Sequence, residues 1–190
     1  MGDAGQNSAG SCIEPRRRFN TPAAVTLRVL TSDEWPLFRE VRLEALREAP
    51  YAFCSTLADW QGERDTEQRW RQRLTDVPFN VIANFDGSPS GMVSATKPNA
   101  DGEIELISMW VAPFARGKGV ADSLVDAVCG WAREQCVGRV SLDVMESNEC
   151  ARAFYHRHGF VDQGRSDNCS DAQPVRRMLR IARGISTALD

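Results

Sequence analysis

The sequence predicts an α/β chain of the α+β type, with one mixed sheet of about seven strands and helices on both faces. Three observations lead to it. Short runs at 25–30, 79–84, 91–96, 103–111, 140–145, 160–164 and 177–182 have the alternation or apolar content of strands. Longer stretches at 34–47, 64–74, 117–135 and 149–158 are helical by their spacing or their start and stop signals. The resulting order, β-α-α-β-β-β-α-β-α-β-β, is neither a regular βα repeat nor an all-β pattern.

Each element has its own justification. VTLRVL at 25–30 alternates as a first strand. Thr31, Ser32 and Asp33 then offer capping side chains, and the helix carries Trp35, Phe38, Val41, Leu43 and Leu46 before Pro50 ends it. YAFCSTLADWQ at 51–61 has no clean period and is expected to be an aromatic loop. The charged helix 64–74 buries Trp70 and Leu74 and leaves its charges in water. The runs 79–84 and 91–96 form a hairpin around Asp86-Gly87, and a turn at 99–102 leads into the strong strand 103–111. In the next helix Val120, Leu124, Val128 and Trp131 share one face, turned to the sheet. The strand 140–145, a helix stopped by Gly159, and the closing strands 160–164 and 177–182 complete the chain.

At 190 residues the chain is large enough for one domain with a real core, and no internal repeat is visible. Residues 24–185 are read as that domain. Residues 1–23, rich in Gly, Ser and Asn, are read as a disordered tail in which Arg16, Arg17 and Arg18 are solvated. The net charge of −3 does not favour a nucleic-acid partner. No apolar run reaches the roughly 20 residues that span a bilayer, and the N-terminus lacks the apolar stretch of a secretory signal. Cys12, Cys54, Cys129, Cys136, Cys150 and Cys169 contain no Cys-x-x-Cys pair. That scatter suits a reducing cytoplasm, and with His156 and His158 as the only histidines no metal site is expected.

The stretch VAPFARGKGVA at 111–121 leaves a strand, crosses a proline and presents glycines at a helix entrance. A Walker A loop ending here would need glycine at 112 and Ser or Thr at 119, where the chain has Ala112 and Gly119. A dinucleotide fingerprint would need a third glycine where Asp122 stands. What remains is Arg-x-x-Gly-x-Ala, from Arg116 through Gly119 to Ala121. Small residues at 117, 119 and 121 let the backbone approach a ligand, and the first N–H groups of the helix are free to meet an anion. Arg116 and Lys118 add charge. The plainer alternative is a tight turn into a helix.

With its flanks, the stretch resembles the GNAT superfamily of acetyl-CoA-dependent N-acetyltransferases. The matching pieces are GEIELISMWVAP, ARGKGVA with its helix, and, farther on, SNECARAFYHRHGF. The last fits that family's Asn-x-x-Ala-x-x-Phe-Tyr-x-x-x-Gly-Phe pattern at Asn148, Ala151, Phe154, Tyr155, Gly159 and Phe160. The resemblance is strong over 102–161 and loose over 25–183. It implies a mostly antiparallel sheet. It also implies that the main chain of Met109, Trp110 and Val111 holds the pantetheine arm of acetyl-CoA. Arg116, Gly117, Lys118, Gly119, Val120 and Ala121 would wrap the diphosphate, with Asn148, Ala151 and Tyr155 approaching from the next unit.

Acetyl transfer to an amine needs a proton removed from an alkyl ammonium of pKa about 10.4, donors for the oxyanion and a proton for the thiolate. Glu105 is the candidate base, because its separation from Arg116 is the one histone-acetyltransferase members use. In a regular strand it would share a face with Ile107, Met109 and Val111, and apolar neighbours would raise its pKa. The alternative is a surface glutamate like Glu103. Tyr155 is the candidate acid for the sulfur, its alternative a core tyrosine. A main-chain N–H near Val111 is the candidate oxyanion donor. His156 and His158 lie about 200° apart on a helix and are read as surface or capping residues. Cys54 and Cys150 are read as structural.

The resemblance implies direct transfer through a tetrahedral intermediate, and the motifs together with the aromatic loop from Tyr51 to Trp60 point to the primary amine of a small molecule, with Phe53 and Trp60 lining the acceptor pocket. A protein lysine or N-terminus is the alternative acceptor, with Asp101, Glu103 and Glu105 as an acidic lip. A non-catalytic acyl-CoA sensor is the reading from another class. Dimers are frequent in the family, but no interface is legible in the sequence.

Overall fold

The computed structural model describes residues 24–166 and 174–181. The expected tail with its arginines, Cys12, Cys169 and the end of the expected domain at 182–185 lie outside the described residues.

The elements are β1 Val25–Val29, α1 Trp35–Glu48, α2 Glu67–Asp76, β2 Phe79–Phe85, β3 Ser88–Ala95, β4 Glu103–Val111, α3 Val120–Glu134, β5 Arg139–Met145, α4 Glu149–Arg157, β6 Val161–Arg165 and β7 Val175–Ile181. The seven strands form one sheet in the order β1-β2-β3-β4-β5-β7-β6. Neighbours are antiparallel except β4 and β5, which run parallel. The last strand thus inserts between β5 and β6, an order that alternation alone does not encode.

Period-two alternation sends side chains to two separate cores. Val81, Ala83, Val93 and Ile104 face α3 and α4, where Val120, Leu124 and Val128 meet them. Ile82, Met92 and Trp110 face α1 and α2, where Phe38, Val41, Trp70 and Leu74 meet them. Trp131 stacks on Phe79 with ring centroids 4.9 Å apart. Gly91 allows α3 to lie close: a Cβ there would stand 2.9 Å from the Trp110 carbonyl oxygen and 3.0 Å from Val120 Cγ1.

Local signals explain the boundaries. Glu34 accepts from the Thr31 N–H at 2.8 Å and from its hydroxyl at 3.2 Å, a capping box before α1. The expected loop at 51–61 contains short 3₁₀ turns, Pro50–Ala52 and Leu57–Trp60, the second closed by Thr56 and Asp59. The second helix begins at Glu67 rather than 64, because the Thr66 hydroxyl caps it by accepting from the Arg69 N–H. The third begins at Val120 rather than 117, because Gly119 has φ +81°, outside the helical region.

Candidate active site

The site is made by an interruption in β4. Against β3, Met92 pairs with Trp110 but Ser94 with Ile107, so β4 carries one extra residue, and Ser108 takes φ +57°. The expectation that Glu105, Ile107, Met109 and Val111 share a face is therefore overturned. Ile104 and Leu106 belong to the α3 side before the bulge, and Met109 and Val111 belong to it after. Glu105 and Ile107 consequently point to the opposite face.

Beside the bulge β4 and β5 separate: their pairing runs only from Glu103 with Arg139 to Leu106 with Leu142. The gap widens into a cleft of about 950 Å³, walled by Glu105 to Val111 on one side and by Asp143 to Met145 with α4 on the other. The Ala112 N–H donates to the Ser90 carbonyl on β3 at 2.8 Å. Successive N–H groups alternate in direction along a strand, so that of Val111 points away from β3, toward the gap.

At one end of the cleft lies the start of α3. Arg116 and Ala121 line the cleft, whereas Gly117, Lys118, Gly119 and Val120 are not part of its lining. The Val120 side chain is buried in the core, so only its main chain is available to a ligand. No side chain caps the first turn of α3. Gly117 and Gly119 have φ +73° and +81°, and nothing lies within 4 Å of where a Cβ would stand. Arg116 is held by Glu48, its Nη2 2.8 Å from Oε2, and its Nε donates to the Val111 carbonyl at 3.1 Å.

Glu105 lines the cleft together with Asp143. Burial first, and then the nearby Asp143 charge, hold its carboxyl above the usual carboxylate range. Glu103 is different: it is 7% exposed and paired with Arg177 and Arg139, not placed on an acidic lip. Arg177 also reaches Asp143 at 3.4 Å.

Tyr155, 7% exposed, lines the cleft from α4, and burial pushes its phenol well above its usual pKa. No described residue hydrogen-bonds its hydroxyl. Asn148 and Ala151 share that wall, but the Asn148 side-chain oxygen is committed to capping α4, accepting from the Ala151 N–H at 3.1 Å. Met109, Trp110 and Val111 line the opposite wall, while the Trp110 indole turns to the other core and donates to Glu48 at 2.9 Å.

Phe53 lines the cleft, but Trp60 does not. Its ring stacks on Trp70 at 4.5 Å with Arg69 over it, so the expected pocket role has no geometric basis. His158 sits at the C-terminal cap of α4 with Nε2 3.2 Å from Asp122, and His156 is exposed. Cys54 and Cys150, expected in structural roles, are exposed and face the cleft. Among the described residues, no group of three or more His, Cys, Asp or Glu could hold a metal ion.

Sequence reasoning missed Arg42, which lines the cleft from α1 while only 6% exposed. A signal was present: it lies four residues after Phe38 and four before Leu46, inside the apolar stripe.

A family model described as the acetyltransferase (GNAT) family matches residues 38–160. The chain is 32% identical over 87 residues to the N-acetylaspartate synthetase of Rattus norvegicus, covering 46% of this chain and 29% of that protein. It spans from 29% to 62% of the length of the curated relatives it matches. A GNAT acetyltransferase structure from Streptococcus pneumoniae superposes with a TM-score of 0.67 at 17% identity, over 83% of this chain and 99% of that one. The PaiA N-acetyltransferase of Thermoplasma acidophilum, crystallised in complex with coenzyme A, gives 0.62 at 16% identity over 83% and 99%. These structures share the fold.

Proposed function

Because the chain belongs to the GNAT acetyltransferase family, we propose that it moves an acetyl group from acetyl-CoA to the primary amine of a small molecule. One observation carries the reading: β4 parts from β5 directly beside the uncapped, glycine-led start of α3. A narrow gap with main-chain donors suits an extended thioester arm, and free helix N–H groups suit its diphosphate.

The residues present accommodate the donor. Left-handed backbone and empty space at Gly117 and Gly119 leave room for phosphate oxygens against the main chain. Residues 116–121 would hold the diphosphate and the main chain of Met109 to Val111 the pantetheine arm. Acetyl-CoA supplies an acyl group already activated as a thioester. Glu105, its carboxyl tuned upward by burial and Asp143, takes the proton that leaves the ammonium. The Val111 N–H is oriented to donate to the carbonyl oxygen. The Tyr155 hydroxyl, kept protonated by burial, donates to the sulfur.

A protein lysine as acceptor draws support from the acidic pair Glu105 and Asp143. Against it, Glu103 is neutralised by Arg177 and Arg139, and Arg42 and Arg116 contribute cations to the walls. We place the enzyme in the cytoplasm, in keeping with its scattered cysteines.

Incubation with acetyl-CoA and an amine library, read by thiol release, tests the proposal. Turnover is expected with at least one class among amino acids, amino sugars, polyamines and arylamines. Silence across all of them, with labelled acetyl groups appearing on proteins, would move the acceptor to protein lysine. Tight acetyl-CoA binding with no transfer to either would make the chain a sensor.

A further inference from the structure

Arg42 is an anomaly that the acetyl-transfer chemistry leaves unused. It occupies a core position of α1, among Phe38, Val41, Ala45 and Leu46, and is 6% exposed. Its Nη2 donates to the Ser55 hydroxyl at 2.7 Å, and its guanidinium lies 4.5 Å over the Phe53 ring. Its Nη1 is fully buried, and no described residue accepts from it. No described carboxylate pairs with it either; the charge that acts on it is a second cation, Arg73.

A buried charge without a counter-ion is among the costlier features a fold can carry, and an apolar residue of similar size would be more stable here. Burial, and then Arg73, bring the guanidinium down to about 10, which still leaves it charged at neutral pH. The position faces the cleft, so a ligand can supply what the protein withholds. Glu105 and Asp143 face the same cleft, with Arg177 beside Asp143, and no described ion pair joins Arg42 to either carboxylate. The cleft therefore carries an acidic group and a cation that are not paired with each other.

We propose that the acceptor is a small amine that also bears a carboxylate, with Arg42 binding the carboxylate while Glu105 faces the amine. The assignment rests on the acetyltransferase reading and narrows it. A guanidinium at the cleft wall without a counter-ion is suited to a planar carboxylate, and the Phe53 ring and the Ser55 hydroxyl fix its plane. Arg42 is a binding residue in this account, and specificity follows from its isolation. An amine lacking the anion leaves the cation buried and unpaired, the situation in which a polar site discriminates most strongly.

The test compares the full-length protein's turnover of α-, β- and γ-amino acids with that of their primary carboxamides, by thiol release from acetyl-CoA. At least one amino acid is expected to exceed its carboxamide by about 100-fold in kcat/KM. In Arg42→Met that ratio is expected to fall to within about threefold, with acetyl-CoA affinity unchanged and Arg42→Lys recovering part of it. Equal use of acid and amide by the wild type overturns the proposal, as does a preference that survives in folded Arg42→Met. The wild-type comparison needs no variant, so a misfolded Arg42→Met leaves the test intact. Absence of turnover with every amino acid also overturns it, and calorimetric titration with acetyl-CoA then separates the two claims. Retained binding means that only the acceptor class falls; lost binding means that the acetyltransferase reading falls with it.

Discussion

Glu105 is held in its less comfortable form whenever it is ionised, because burial and then Asp143 both act against the charge. Its folded-state pKa lies above its unfolded value, so ionisation costs stability once the pH exceeds the ordinary carboxylate range. Glu105→Gln is therefore expected to raise the melting temperature at pH 7, and the gain is expected to shrink as the pH falls into that range. Turnover moves the other way. A base works only when deprotonated, so wild-type kcat/KM falls as the pH drops through the raised pKa, and Glu105→Gln loses both that limb and most of the rate, about 100-fold or more. A variant less stable than the wild type at pH 7 would show that Glu105 is a structural ion rather than a tuned base. Tyr155→Phe keeps the ring packing of α4 on Phe160 and removes one hydroxyl. It is expected to lower kcat by about 10- to 100-fold with acetyl-CoA affinity nearly unchanged, by steady-state kinetics and calorimetry. Both residues were singled out by their sequence context, and both line the cleft. Arg42 left only an ambiguous signal, because a cation inside an apolar stripe reads as a long side chain reaching for water until its burial is known.

β4 and the start of α3 show where sequence patterns succeed and where they fail. The helix stripe Val120, Leu124 and Val128 lies against the sheet as its spacing required. The strand face of Glu105 did not, since alternation assumes a regular ladder, and no residue type around Ser108 announces the bulge. Strand order was equally hidden, because the placement of β7 beside β5 depends on contacts far apart in the chain. Gly119 is the sensitive position of the helix start. Gly119→Glu sets a bulky anion beside the proposed diphosphate and forces a side chain onto left-handed backbone. Acetyl-CoA binding by calorimetry is expected to vanish, and normal affinity would show that the diphosphate lies elsewhere. Gly91 is sensitive for packing. Gly91→Val drives its side chain against the Trp110 carbonyl, Val120 and Leu124, with an expected loss of about 1–3 kcal/mol in urea denaturation.

Seen whole, the molecule sets two cores back to back on one sheet, and the cleft lies where the sheet opens between them. The α3 and α4 side carries the start of α3 and Tyr155, and the α1 side carries Arg42 and Phe53. Glu48, at the end of α1, accepts from Trp110 of β4 and from Arg116 before α3, so one carboxylate ties both sides to the bulged strand. A donor lying in the gap would replace the ladder that β4 and β5 do not form beyond Leu106 and Leu142. Binding to the folded state alone stabilises by mass action, about 2.7 kcal/mol at a concentration of about 100 Kd, or a rise of roughly 5–10 °C in melting temperature for a chain of this size. Coenzyme A is expected to produce that shift in the wild type and none in Gly119→Glu. Hydrogen exchange locates the effect: amides of 109–111 and 120–122 are expected to slow on binding, while those of β1 and β6, at the sheet edges, keep their rates. A comparable melting shift with the slowing confined to α1 and α2 would place the donor in the other layer, and the roles of Tyr155 and the α3 entrance would go with it.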